Sequence, residues 1–218
     1  DRIKKATWLF FACMADKATD STLMYKKFAK FHKENPDFFD YEGLLRIHTH
    51  PELIKEKLMP TIHAAFPKKF PEFISKSLDV LLSEYGGNPL KALKGKTFSE
   101  RVGNLEQFKG YGVGISSLYL IFLERYGIKK TADLVPKVDR HLIRISIRCG
   151  VIDVPESSRV DVTVKKLEHT YKEVSQIYKI NATILDPTSW AIGKFLCSLN
   201  NKGICEQYCP IVKYCSND

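Results

Sequence analysis

The chain has 218 residues, of which 34 are basic and 25 acidic, so its net charge is +9 at neutral pH. This excess favours an anionic partner such as nucleic acid, although charge alone does not separate DNA from RNA or from an anionic membrane surface. With 27% charged and 44% hydrophobic residues, the chain is expected to be globular, and no apolar run is long enough to cross a bilayer.

The predicted elements in the N-terminal half are helices. Apolar residues at three- and four-residue steps predict a helix over residues 21–34, with Asp20 as its N-cap. Pro51 and Pro71 are each expected to start a helix, because proline is tolerated in the first helical turn. Gly86 should end the second of these helices.

The C-terminal half continues the same pattern. Residues 118–123 form the most apolar helical segment, and residues 164–178 repeat apolar side chains at helical steps. Asp186 followed by Pro187 predicts an N-cap and the first residue of another helix. Because no segment alternates for long enough to form a sheet, the expected fold class is all-α.

A glycine-rich segment, FKGYG at residues 108–112, separates two of these helical patterns. Its glycines leave no side chain to obstruct a ligand, and the next helix is expected to begin near Val113. The free N–H groups of its first turn would form an anion site, with a monovalent cation as an additional bridge to phosphate. An ordinary tight turn between helices is the alternative. The predicted phosphate-binding residues are Lys109, Gly110, Gly112 and Gly114.

A lone aspartate, Asp139, stands at the expected start of a helix over residues 141–148. A carboxylate in this position accepts hydrogen bonds from backbone N–H groups, so Asp139 can act simply as a cap. A fixed carboxylate can also stabilise the positive charge on a sugar whose glycosidic bond is breaking, and it can orient water.

The cysteines are concentrated at the C-terminus. The spacing of the last four is C-x7-C-x3-C-x5-C, and they are Cys197, Cys205, Cys209 and Cys215. Such a local group predicts an iron–sulfur or zinc site, with two disulfides as a further alternative. Cys13 and Cys149 stand apart in the sequence and are expected to be buried thiols.

Together these segments resemble the helix-hairpin-helix DNA glycosylase superfamily, which includes endonuclease III. The resemblance is carried by the hairpin FKGYG, by the sequence VDRH at residues 138–141, by ATD at residues 18–20 and by the terminal cysteines. Endonuclease III-type enzymes end in C-x6-C-x2-C-x5-C, which ligates a [4Fe–4S] cluster; this chain has one more residue in each of the first two gaps.

The resemblance implies a two-lobed, all-α base-excision repair glycosylase that acts on double-stranded DNA. Such an enzyme flips out a damaged or mispaired base and hydrolyses its N-glycosidic bond, with Asp139 as the catalytic residue. The four terminal cysteines would hold a [4Fe–4S] cluster. Residues 20–134 would form the domain that carries the hairpin, and residues 1–19 plus 135–218 the second domain.

The resemblance further implies a monofunctional enzyme. Bifunctional relatives carry a lysine two residues beyond the second hairpin glycine, where this chain has Gly114, which cannot form a Schiff base. The alternatives are a bifunctional glycosylase and AP lyase that uses another amine, or a non-catalytic helix-hairpin-helix DNA-binding protein.

The protein is expected to be a monomer that works inside the cell with the DNA and binds no membrane. Additional DNA contacts are predicted for Lys17, His48, His50 and Lys202.

Overall fold

The structure, a computed structural model, describes residues 2–16, 20–62, 66–131, 133–153, 160–197 and 202–215. Every regular element within these ranges is helical, which confirms the predicted all-α class. None of the described helices is both long enough and apolar enough to span a bilayer. The chain divides into two compact units, Asp1–Ala132 and Asp133–Asp218.

Helices of the first unit follow the sequence patterns closely, and Asp20 caps the second helix as predicted, with its side chain 3.1 Å from the Leu23 amide. Gly86 ends the long fifth helix in a left-handed conformation, with φ of 58°. The elements are α1 (Arg2–Ala15), α2 (Ser21–Glu34), α3 (Tyr41–Thr49), a π-helical stretch (Ile54–Leu58) that runs into α4 (Met59–Ile62), α5 (Phe70–Tyr85), a 3-10 turn (Pro89–Ala92), α6 (Phe98–Leu105) and α7 (Val113–Arg125).

Aromatic side chains form the centre of the first unit, around α1. The ring of Phe10 stacks on Tyr111 at a centroid distance of 4.6 Å and meets the ring of Phe108 edge-on at 4.9 Å. Helix α1 also packs on α7, so residues 2–15 belong to the first unit in this structure. The division predicted from the sequence places residues 1–19 with the C-terminal part, and it stays a prediction.

Helices of the second unit pack around a small apolar cluster. It contains Leu142, Ile152, Leu167 and Tyr171, and the Tyr171 hydroxyl lies 2.9 Å from Ser146 Oγ. The elements are α8 (Arg140–Arg148), α9 (Val160–Tyr178), α10 (Ala182–Ala191), a π-helical stretch (Ile192–Leu196), α11 (Lys202–Tyr208) and a 3-10 turn (Val212–Tyr214).

One helix start was predicted wrongly. Asp186 and Pro187 lie inside α10, which begins five residues earlier than Pro187, at Ala182. Asn181 provides the cap, because its side-chain oxygen accepts a hydrogen bond from the Thr183 amide at 2.9 Å. The Asp186 carboxylate is instead used in tertiary structure, where it accepts a hydrogen bond from the Lys137 amide at 2.7 Å.

Candidate functional site

The turn between α6 and α7 is the predicted hairpin, and side chains of the first unit hold it firmly. Phe108 is completely buried, and the Tyr111 hydroxyl donates a hydrogen bond to the Phe10 carbonyl at 2.8 Å. Ser77 Oγ donates to the Lys109 carbonyl at 2.9 Å. Burial raises the pKa of Tyr111, so its hydroxyl keeps the proton that it donates. Sequence reasoning did not identify Ser77 or Tyr111 as anchors of the turn.

The two hairpin glycines differ in what the structure demands of them. Gly110 has φ of 97°, and an added Cβ would lie 3.1 Å from Met14 Cγ and 3.3 Å from Phe73 Cδ2. Gly112 has φ of −141° and ψ of −178°, which any residue adopts, and an added Cβ would meet no atom within 4 Å. Gly110 is therefore needed for the fold of the turn, whereas Gly112 leaves open space beside the start of α7.

Helix α7 begins at this open space without a side-chain cap. The first hydrogen bond of the helix is donated by the Ser116 amide to the Gly112 carbonyl, at 2.9 Å. The amides of residues 113–115 precede this bond and belong to the group that a helix start leaves without intrahelical partners. Helix α5 also starts without a side-chain cap, but the start of α7 lies beside the open space at Gly112, where its amides can donate to an anion.

A cavity of about 540 Å³ adjoins the hairpin within the first unit. Lys69 and Lys109 contribute two cations to its lining, and Glu72 and Glu106 contribute two carboxylates. Glu72 is paired with Lys76 at 2.7 Å, and this hydrogen-bonded lysine lowers the pKa of the Glu72 carboxyl. The Lys109 side chain is exposed, as a residue that contacts phosphate must be.

The predicted catalytic carboxylate, Asp139, belongs to the second unit and is the N-cap of α8. Its Oδ1 accepts hydrogen bonds from the amides of His141 at 2.8 Å and Leu142 at 3.1 Å. The residue is half-buried, and the described residues make no hydrogen bond to its Oδ2. The side chain is thus held by one oxygen, while the other is available to a ligand.

His141 lies directly beneath this cap, in the first turn of α8. Gly193 packs so closely against it that a Cβ on Gly193 would come within 2.8 Å of the His141 Cβ. The ring of Trp190 meets the imidazole edge-on at a centroid distance of 6.2 Å. Burial lowers the pKa of His141, and Asp139 opposes that shift. Gly193 and Trp190 therefore support the start of α8, which sequence reasoning did not anticipate.

The four C-terminal cysteines also lie in the second unit, and one of them, Cys215, contacts a cysteine from outside the C-terminal group. Cys149 was expected to be an isolated buried thiol, but its Sγ lies 3.5 Å from Cys215 Sγ. Burial, followed by the nearby Cys215 thiol, raises the pKa of Cys149 to about 12. Within the described ranges, the structure contains no group of three or more metal-binding side chains (His, Cys, Asp or Glu) that is arranged to hold an ion. The predicted [4Fe–4S] cluster, like the monovalent cation at the hairpin, stays a prediction.

The remaining predicted DNA contacts lie in varied surroundings. His48 Nε2 is 3.1 Å from a carboxylate oxygen of Asp79, and His50 Nδ1 is 3.2 Å from one of Glu52. Carboxylates at this distance do not favour a phosphate, although both histidines are exposed. Lys17 and the neighbouring residues 18 and 19 lie outside the described residues, and Lys202 begins α11.

Comparison with known proteins identifies a similar fold. No protein-family model matches the sequence, and no curated protein matches it either. The structure resembles that of Methanocaldococcus jannaschii 8-oxoguanine glycosylase/lyase in complex with a 15mer DNA containing 8-oxoguanine. The TM-score is 0.58 and the identity 17%, and the match covers 87% of this chain and 80% of that chain. At this identity the two chains share a fold, which confirms the predicted all-α glycosylase fold.

Proposed function

We propose that this protein is a DNA glycosylase of base-excision repair that removes a damaged or mispaired base by hydrolysis. The observation that carries the proposal is the uncapped start of α7 beside Gly112, which leaves amides and open space for a phosphate. The glycosylase fold and the net charge of +9 support the same reading, because a DNA-binding protein gains affinity from positive charge.

The hairpin is the part that holds the DNA backbone. Amides at a helix start donate to phosphate oxygens without reading the base, so this contact positions the strand and is independent of sequence. Lys109 adds an exposed positive charge in the turn that precedes these amides. The anchoring of the turn by Ser77 and Tyr111 keeps the amides in place before DNA arrives, which lowers the entropic cost of binding.

Asp139 is the part that acts on the sugar. As the bond between C1′ and the base nitrogen breaks, the base leaves with the electron pair and positive charge develops on the sugar, where a carboxylate stabilises it. Water then forms the new bond to C1′ and gives a proton to Asp139 Oδ2, the oxygen that the helix start leaves available. The departing base takes up this proton by way of solvent, which returns Asp139 to its carboxylate form, and the products are a free base and an abasic site.

The proposed enzyme is monofunctional and acts on purine lesions such as 8-oxoguanine. Helix α7 contains no lysine, and Gly114 stands where the resemblance places the Schiff-base residue of bifunctional relatives. Ser116, two residues further, is completely buried and could not reach DNA. The substrate class is taken from the similar structure, whose DNA contains 8-oxoguanine; that protein is a glycosylase/lyase, so the loss of lyase activity is a proposed difference.

The decisive experiment compares Asp139→Asn with wild-type protein in single-turnover assays of base release. Duplexes that each carry one lesion or mismatch, including 8-oxoguanine, are scored with and without alkali. Asparagine is as good an N-cap as aspartate, so the variant should fold normally and bind DNA at least as well. It should release base at least about a hundredfold more slowly, as expected when a transition-state charge loses its partner.

Asp133→Asn is the matched control, because Asp133 is an exposed residue at the start of the same unit and should have no role in catalysis. Base release by Asp139→Asn at the wild-type rate would exclude the proposed mechanism. Tight binding of every duplex by wild-type protein without any base release would identify a non-catalytic DNA-binding protein instead.

A further inference from the structure

Residues 137–148, which contain Asp139 and α8, pack alongside residues 186–197 in a constant register. Four contacts between the two segments join residues that lie 49 positions apart in the chain, so the segments run in the same direction. This register shows which residue of the second segment lies opposite each residue of the first. The four pairs are Lys137 with Asp186, His141 with Trp190, Arg144 with Gly193, and Arg148 with Cys197.

Three arginines follow one another along α8 at four-residue steps, so they lie on the same side of the helix. They are Arg140, Arg144 and Arg148. Arg144 Nη1 donates a hydrogen bond to the Gly193 carbonyl at 3.2 Å, and Arg148 Nη1 donates to the Cys197 carbonyl at 2.9 Å. Both carbonyls lie in the last turn of the π-helical stretch or at its C-cap, where a helix leaves carbonyls without intrahelical partners. These two guanidinium groups therefore join α8 to the neighbouring segment.

Arg140, at the start of α8, has no such partner in the described part of the chain. The register places Arg140 opposite Ser189, whose carbonyl already accepts a hydrogen bond from the Ile192 amide. The Arg140 side chain is exposed, and it makes no hydrogen bond or ion pair with the described residues. A guanidinium stays charged in proteins, and its planar set of donors matches the oxygens of a phosphate. Arg140 is therefore available to an external anion.

The position of Arg140 directly after Asp139 indicates which anion this is. Asp139 Oδ1 accepts hydrogen bonds from the amides of His141 and Leu142, so the carboxylate stands at the same end of α8 as Arg140. A carboxylate that approaches a DNA strand is repelled by the phosphates of that strand. A cation beside the carboxylate offsets this repulsion and attracts the strand.

We infer that Arg140 binds a backbone phosphate of the strand that carries the lesion, next to the sugar on which Asp139 acts. The inference rests on the proposed function and adds a positioning residue to it. Arg140 holds the strand against the helix that presents the carboxylate, so it contributes to the affinity for DNA and not to the chemical step.

Fluorescence anisotropy with a duplex that contains an uncleavable abasic analogue, over a series of salt concentrations, tests this contact. Arg140→Gln should bind the duplex at least about tenfold more weakly at one fixed salt concentration, because a charge-assisted hydrogen bond is lost. The slope of log affinity against log salt should become smaller by about 1. Arg140→Lys keeps the charge without the planar fork, so it should keep the wild-type slope and recover part of the affinity.

Two variants of the same unit are the controls. Lys172→Gln removes one charge from an exposed position on α9 and should leave the slope unchanged. Arg144→Gln loses the hydrogen bond to the Gly193 carbonyl, so it should lower the urea midpoint and keep the slope. Arg140→Gln should not lower the midpoint, because a cation at a helix start does not stabilise the helix. A wild-type slope in Arg140→Gln would overturn the inference, and so would an equal fall of the slope in Lys172→Gln.

Base release separates this inference from the proposed function. In single-turnover assays with duplexes that each carry one lesion, Arg140→Gln at saturating protein should release base within about threefold of the wild-type rate. It should need at least about tenfold more protein for the half-maximal rate. A rate at saturation as low as that of Asp139→Asn would overturn the positioning role. Wild-type protein that binds the duplex but releases no base would refute the proposed function, and the salt slopes would still decide whether Arg140 contacts a phosphate.

Discussion

Substitution of the hairpin glycines by alanine should separate DNA binding from folding. In Gly112→Ala the new methyl group meets no protein atom and the backbone stays in an allowed region, so the free energy of unfolding should change by less than about 0.5 kcal/mol. The methyl group occupies the space from which a phosphate would approach the α7 amides. Loss of one charge-assisted hydrogen bond costs about 1.5–3 kcal/mol, which corresponds to at least roughly a tenfold weaker affinity.

Gly110→Ala should give the opposite result, with a large effect on stability. Alanine at a φ of 97° is strained, and its Cβ would lie 3.1 Å from Met14 Cγ, so the free energy of unfolding should fall by about 1–3 kcal/mol. Gly103→Ala is the matched control in α6, because Gly103 is exposed and its Cβ would meet nothing within 4 Å. It should be stabilised by about 0.5–1 kcal/mol without any change in affinity.

Both properties can be measured on the same preparations. Urea denaturation gives the free energy of unfolding, and fluorescence anisotropy with a duplex that contains an uncleavable abasic analogue gives the affinity. All titrations must share one salt concentration, because affinity for DNA depends steeply on salt. Wild-type affinity in Gly112→Ala would refute the assignment of a phosphate to the α7 amides. Wild-type stability in Gly110→Ala would refute the assigned role of positive φ and close packing.

Three further predictions follow from the site. Lys109→Gln should weaken binding equally for all sequences and reduce the slope of log affinity against log salt by about 1; an unchanged slope would remove Lys109 from the phosphate contact. The lowered pKa of His141 means that the folded protein binds fewer protons than the unfolded chain as pH falls below the usual histidine value of about 6.5. The free energy of unfolding should therefore decrease as pH falls through that value. The urea midpoint of the wild-type protein should be lower at mildly acidic pH than at neutral pH. In His141→Gln this difference between the two midpoints should be smaller. Borohydride should trap no covalent adduct between the protein and lesion-containing DNA, whereas a trapped adduct would show that an amine acts as nucleophile.

The elements that the sequence predicted well are those whose signals are local. The cap of α2 by Asp20, the end of α5 at Gly86 and the cap of α8 by Asp139 each depend on hydrogen bonds between residues at most five positions apart. The hairpin could be predicted for the same reason, because its glycines and the following helix are neighbours in the chain. At Asp186 the local pattern was misleading, because the helix begins at Ala182 with Asn181 as its cap.

Tertiary structure decided the contacts that hold these local elements in place. The Tyr111 hydroxyl donates a hydrogen bond to the carbonyl of Phe10, which lies 101 positions away in the chain. The Cys149 thiol contacts the thiol of Cys215, which lies 66 positions away. Asp186 accepts a hydrogen bond from the Lys137 amide instead of capping a helix. Such partners are chosen by how helices pack in three dimensions, and a pattern of residue types along one chain carries no record of which distant groups will meet. The sequence therefore determined the helices and the chemical character of the site, whereas the fold alone decided what supports the hairpin and which thiols lie together.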